Sequence, residues 1–170
     1  MNTQQQPDQA RMRENFLELL KKFDAGTLVT RGRDGQLHGR PMSIARREKD
    51  GELWFLTDAD SEKVAELTLD QRALVSMADS GRFVVMEGTI AAVHDPEVAR
   101  TVWKEAFRVW FSGPDDPKLV VLRFEPTQGE YWNQAGAQAV KHAFQAAKAY
   151  VKGEQLQDPT DPDMHGVVKH

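Results

Sequence analysis

Three tight-turn signals dominate what this chain can fold into. Asp34-Gly35 and Asp50-Gly51 each stand between two runs rich in β-branched and aromatic residues, and Asp79-Ser80-Gly81 stands between two more. Asp-Gly tolerates the positive φ that a tight hairpin requires. The first two turns connect Thr27–Arg31 (TLVTR), Gln36–Arg46 (QLHGRPMSIAR) and Glu52–Thr57 (ELWFLT) as an antiparallel meander. The third connects Arg72–Ala78 (RALVSMA) to Arg82–Val93 (RFVVMEGTIAAV), and Lys118–Glu125 and Gly129–Asn133 read as two further strands. Pro41 cannot donate to a ladder, so a bulge or an edge is expected there. Adjacent antiparallel strands in this number lose their edges most economically by closing into a barrel.

Helical patterns lie around these strands. Met12, Phe16, Leu19, Leu20 and Phe23 recur at steps of three or four and form one apolar stripe, which Gly26 ends. A short helix follows Thr57–Ser61, with Val64 and Leu67 facing inward. Asp95-Pro96 is an N-cap acid followed by proline at the first helical position. The helix it starts is expected to carry Val98, Val102, Ala106 and Trp110 on one face until Ser112–Pro117 breaks it. Ala137–Lys152 is an alanine-rich helix ended by Gly153. Residues 1–10 are polar and expected as a flexible arm, 11–153 as one domain, and 154–170, rich in Asp and Pro, as a flexible tail.

Composition removes several function classes. The 170 residues include no cysteine, which excludes disulfides, thiolate metal sites and cysteine nucleophiles. With 22 basic and 26 acidic residues the net charge is -4, so there is no global pull toward nucleic acid or an anionic membrane. Mean hydropathy is -0.58, and no 18-residue apolar run suits a membrane-spanning helix. The N-terminus lacks the basic start and apolar core of a secretory signal, so a cytoplasmic location is expected. No two of the five histidines have metal-ligand spacing, and no metal is expected. The chain has no GxSxG elbow, no GxxxxGK[ST] and no GxGxxG.

The informative stretches are Arg40-Pro41-Met42 and Thr57–Lys63 (TDADSEK). Thr57, Ser61 and Lys63 surround a helix start, where free backbone N–H groups favour an anion. Arg40 lies one strand away across a hairpin, and a guanidinium grips a phosphate through two parallel bonds. These donors suit a terminal phosphate monoester. The commoner reading of such residues is a plain helix cap beside a surface lysine. Asp58, Asp60 and Glu62 oppose an anion unless they point away from it. Trp54, Trp103, Trp110 and Trp132 belong to core or interface packing in the first instance. Trp110-Phe111, at a helix end beside SGPDDP, is an aromatic pair suited to covering a planar ligand or a partner chain.

Arg40-Pro41-Met42, WFLTDADSEKVAEL, FVVMEGTIAAV, WF-SGPDDP and LRFEPTQGEYW, in this order, resemble the flavin-binding split-barrel superfamily of pyridoxamine phosphate oxidase, and within it the bacterial general stress proteins. The likeness runs from about Phe16 to Lys152. It implies a mainly β fold with helices, a six- to seven-stranded antiparallel split β-barrel with flanking helices. It implies a homodimer with flavin at the subunit interface, FMN as cofactor with FAD possible, and no nucleic-acid or membrane partner. By the resemblance, Arg40 and Lys63 bind the FMN phosphate with Thr57 and Ser61. Arg40–Ile44, including Pro41, Met42 and Ser43, runs along the isoalloxazine, Phe55 and Leu56 lie beneath it, and Trp110 or Trp132 reaches it from the other subunit.

Two departures from the oxidase bear on function. Phe83 stands where the oxidase has a flavin-holding glutamine, and the stretch after Trp132 (NQAGAQAVKHAFQAAKAYVKG) lacks its substrate-binding Arg-x-His-x-Arg segment. The oxidase's own activity is therefore not expected. The expected function is a flavin-dependent oxidoreductase of the general stress protein type, with no catalytic side chain assigned. The alternatives are a non-catalytic flavin carrier or stress-related binding protein, and a deazaflavin- or haem-binding relative.

Overall fold

The hairpins form where the turn residues place them. A computed structural model of the chain describes residues 5–153 and 161–170. Gly35 (φ 80°) joins β1 (Ala25–Arg31) to β2 (Leu37–Arg47), and Gly51 (φ 92°) joins β2 to β3 (Leu53–Asp58). Ser80 (φ 46°) and Gly81 (φ 83°) join β4 (Arg72–Asp79) to β5 (Arg82–Val93). Helix α1 (Gln5–Leu20) precedes β1, and α2 (Glu62–Leu67) connects β3 to β4. After β5 come α3 (Pro96–Val102), β6 (Leu119–Asn133), α4 (Ala137–Lys152) and β7 (His165–Lys169).

The sheet runs β3-β2-β1-β4-β5-β6-β7, and β3 also pairs with β6. That pairing, from Leu53↔Phe124 to Asp58↔Leu119, closes β1–β6 into a six-stranded antiparallel barrel. Closure explains the burial pattern of β3, where five successive residues are buried. Leu53 and Phe55 point into the barrel among Phe16, Leu28, Met86 and Phe124. Trp54 and Leu56 point outward, but α3 covers them through Ala99 and Val102, with Phe107 alongside. The side-chain alternation of a strand is thus kept, with a core on each face. Among the described residues no helix is long and apolar enough to cross a membrane.

Several elements differ from expectation. Helix α1 starts at Gln5, so 5–10 are helix rather than loose arm. Pro7 lies in the first turn, where its missing N–H breaks no helical bond. The expected tail is tied down in its last part. β7 pairs with β6 from Gln128↔Lys169 to Trp132↔His165, and Met164 and Val168 are buried. Asn15 Nδ2 on α1 donates to the Pro162 carbonyl at 2.9 Å. Residues 154–160 lie outside the described part.

Lys118–Glu125 and Gly129–Asn133 form one 15-residue strand rather than two. Pro126 is absorbed by a register shift between Glu87 and Gly88 on the facing strand. A Cβ at Gly88 would lie 2.1 Å from the Glu125 carbonyl oxygen, so only glycine fits opposite the bulge at Thr127. Pro41 sits at a local edge, as proline permits, because β2 pairs with β3 only from Ile44 onward. The helix from Pro96 stops at Val102, where Trp103 turns extended (ψ 140°), and a 3-10 helix (Glu105–Val109) follows. That break rotates the inward face, so Phe107 is buried rather than Ala106.

Candidate functional site

The local edge at Pro41 opens a cavity of about 550 Å³. Pro41, Met42 and Ser43 form one wall, the end of β3 (Leu56, Thr57, Asp58) another, and Phe107, Trp110 and Phe111 a third. The volume falls in the range of small-molecule sites, roughly 300–1,000 Å³. Two stretches widely separated in sequence, 41–43 and 56–58, therefore meet at one cavity, while Arg40, Ser61 and Lys63 are not in its wall. The aromatic wall stands on the broken helix: Phe107 lies 6.2 Å from Trp103 and 6.2 Å from Trp110, ring centre to ring centre. Trp110 is 66% exposed at the mouth.

Behind Thr57 sits a polar corner. Lys63 Nζ donates to Thr57 Oγ1 at 2.8 Å. Burial lowers the Lys63 pKa, and the nearby Arg40 charge lowers it further, while Asp58 and Glu66 oppose both. Ser61 precedes α2 with extended backbone (φ -69°, ψ 147°), yet its side chain makes no capping bond. Its Oγ is buried with no hydrogen-bond partner. Buried hydroxyls are normally satisfied, so this one is the kind of donor a ligand oxygen completes. Asp58 points its carboxylate at its own loop and accepts from Asp60 N at 2.8 Å, while Asp60 and Glu62 are exposed. Asp58 nonetheless lines the cavity, and Glu62 Oε2 lies 3.5 Å from Arg40 Nη2, so two of the three acids stay close to the cationic groups. Helix α2 is only six residues long, so side chains rather than a helix dipole define the corner.

Arg40 has a second set of partners. Its Nη1 donates to Glu66 Oε2 at 3.0 Å and to Thr30 Oγ1 at 2.9 Å, and its Nη2 donates to Glu66 Oε1 at 2.9 Å. His38 Nδ1 lies 2.6 Å from the same carboxylate, and Thr30 Oγ1 donates to it at 2.5 Å. Burial alone would raise the Glu66 pKa. Hydrogen bonds from Arg40, Thr30 and His38 outweigh it and hold the carboxyl at about 2. Glu66 is 2% exposed and stays charged at neutral pH. His38, Glu62 and Glu66 bring three potential metal-ligand atoms within 4.8 Å, but the Arg40 guanidinium already occupies Glu66.

The residues singled out from sequence therefore divide. Pro41, Met42, Ser43, Leu56, Thr57 and Trp110 line the cavity, and Arg40, Ser61 and Lys63 gather behind Thr57. Phe55 does not lie beneath the cavity: the strand alternation turns it into the barrel, where it is 0% exposed. Trp132 is not in the wall of the cavity either. It stacks on His165 at 5.3 Å, where β6 meets β7. Trp110 lines the cavity of its own chain. Phe111, singled out with Trp110, lines the cavity, whereas Phe107 and Glu66 were not picked out. Phe107 could have been found from its spacing to Trp103 and Trp110, whereas Glu66 carries no local signal.

The fold is a closed six-stranded antiparallel barrel of the split-barrel class, with an aromatic-walled cavity on its outer face. The chain belongs to the pyridoxamine 5'-phosphate oxidase-like family, whose description matches residues 11–157. It is 24% identical to general stress protein 26 of Bacillus subtilis (strain 168) over 125 residues, covering 70% of this chain and 86% of that protein. A protein of Jannaschia sp. CCS1 has a similar structure (TM-score 0.72, 25% identity, 95% of this chain and 99% of that one). So does the general stress FMN/FAD binding protein of Xanthomonas citri (TM-score 0.64, 26% identity, 75% and 92%).

Proposed function

We propose that the cavity binds FMN, with FAD as the larger alternative, and that the protein is a flavin-dependent oxidoreductase of the general stress protein type. The observation that carries this reading is the buried, unpartnered Ser61 hydroxyl near the Lys63–Thr57 pair. Similarity to the FMN/FAD binding protein of Xanthomonas citri supports it. Lys63, Thr57 and Ser61 hold the terminal phosphate, and Arg40, tied to Glu66, flanks it. The backbone of Pro41–Ser43 offers its unpaired edge to the ring heteroatoms. Leu56 supplies an apolar floor, and Trp110 and Phe111 shield the ring from water. When bound, the isoalloxazine supplies the redox chemistry, and the side chains supply position and field.

The reading includes a homodimer with the cofactor at the interface. Trp110, 66% exposed in the cavity wall, and its chain neighbour Val109, 75% exposed, support a second chain closing over them. Trp132 would then reach the cofactor only from the partner. Phe83 in place of a flavin-holding glutamine, and helix α4 in place of an Arg-x-His-x-Arg segment, separate the protein from the oxidase's own reaction.

The purified protein is expected to be yellow or to take up FMN, and anaerobic NAD(P)H is expected to bleach it. Bound flavin indifferent to reductants would replace the enzyme with a carrier. A colourless protein that ignores added FMN would remove both.

A further inference from the structure

We propose a second ligand site, for a small organic anion bearing several carboxylates or a phosphate, in a cavity between α1 and the end of β2. Its volume is about 740 Å³. Arg13 and Lys21 come from α1, Arg46, Arg47 and Lys49 from β2 and its turn, and Lys104 from the link after α3. Three glutamates, Glu14, Glu18 and Glu48, oppose these six cations. The lining is therefore net positive by three in a chain whose net charge is -4. Such a concentration of one sign in a concave wall raises the local concentration of an oppositely charged solute.

The carboxylates present do not neutralise the wall. Glu18 is taken by Lys21, and Glu48 pairs with Arg46 at 2.7 Å. Lys49 and Lys104 have no carboxylate partner among the described residues. The nearest acid to Arg47 is the fully exposed Asp24, at 3.5 Å. Arg47 Nε and Nη2 are both buried without a hydrogen bond. Nε and Nη2 form one edge of the guanidinium fork, spaced to hold a carboxylate or phosphate with two parallel bonds. Arg47 lines the cavity, and its side chain keeps 22% exposure. A desolvated guanidinium edge without an acceptor is costly, and a bound oxyanion removes the cost. Both cavities use β2 and the segment after α3 as walls, so the anion would sit beside the first cavity.

Isothermal titration of the full chain at low salt, with citrate and separately with pyrophosphate, tests this. At least one anion is expected to bind, once per chain at this site, and the pair shows whether polycarboxylate or phosphate is preferred. Arg47→Gln should weaken binding at least tenfold, while Lys118→Ala, outside both cavities, should bind as the parent does. If Arg47→Gln melts early, the exposed Lys49→Ala and Lys104→Ala variants replace it, each with a severalfold loss expected. No binding of either anion would overturn the proposal. So would binding unchanged in Arg47→Gln, Lys49→Ala and Lys104→Ala, or abolished by Lys118→Ala.

Discussion

Ser61 and Glu66 are the residues on which the readings of the site diverge. A serine before a short helix is most simply an N-cap, and replacing a cap by alanine costs about 1 kcal/mol. Ser61 makes no capping bond, so Ser61→Ala should leave the melting temperature of the flavin-free protein unchanged while weakening FMN binding. A thermal melt and an FMN titration on the same variant separate the two roles. Glu66 is buried against Arg40, so Glu66→Gln strands a guanidinium and should cost about 3 kcal/mol in urea unfolding. Its pKa is lowered from 4.5 to about 2 on folding. The stability this supplies is complete above pH 4.5 and is lost as pH falls toward 2. It amounts to about 3 kcal/mol, and the acid-side slope of stability should flatten in Glu66→Gln. That Lys63 and Thr57 stand together at a helix start was legible from their spacing, and Lys63 Nζ donates to Thr57 Oγ1. The engagement of Arg40 was not, because Glu66 lies 26 residues away and meets it only through the packing of α2.

At the scale of elements, what was written locally could be read and what depends on a distant partner could not. Each Asp-Gly states its own φ, so the hairpins were visible. Pro126 also speaks locally and says that a strand ends, but β6 takes up the extra residue Thr127 as a bulge opposite Glu87 and Gly88 and runs through. β7 has only five residues, and nothing in its composition outweighs the Asp- and Pro-rich stretch before it. Its place depends on the free edge of β6 and on a pocket for Met164. Met164 is 1% exposed, so Met164→Ala should cost about 2–4 kcal/mol in a urea unfolding curve if residues 161–170 are part of the folded unit. An unchanged curve would return them to a tail.

The molecule as a whole is a barrel closed by the β3–β6 pairing, with its ligand cavity outside the barrel wall. At Pro41 β2 has no β3 partner, and the cavity opens there. An exposed Trp110 at that mouth fits an assembly of two chains. Sedimentation should therefore give a dimer, and Trp110→Ala should lower flavin affinity severalfold. A monomer that keeps its flavin would contradict the interface placement. The most direct measurement compares FMN with riboflavin, which lacks the phosphate, by fluorescence titration of the parent and of Lys63→Ala. FMN should bind the parent about 10- to 150-fold more tightly than riboflavin, the worth of a charged hydrogen bond of about 1.5–3 kcal/mol, and Lys63→Ala should erase most of that margin. Equal affinity for the two flavins, or a margin that survives the loss of Lys63, would contradict the phosphate corner.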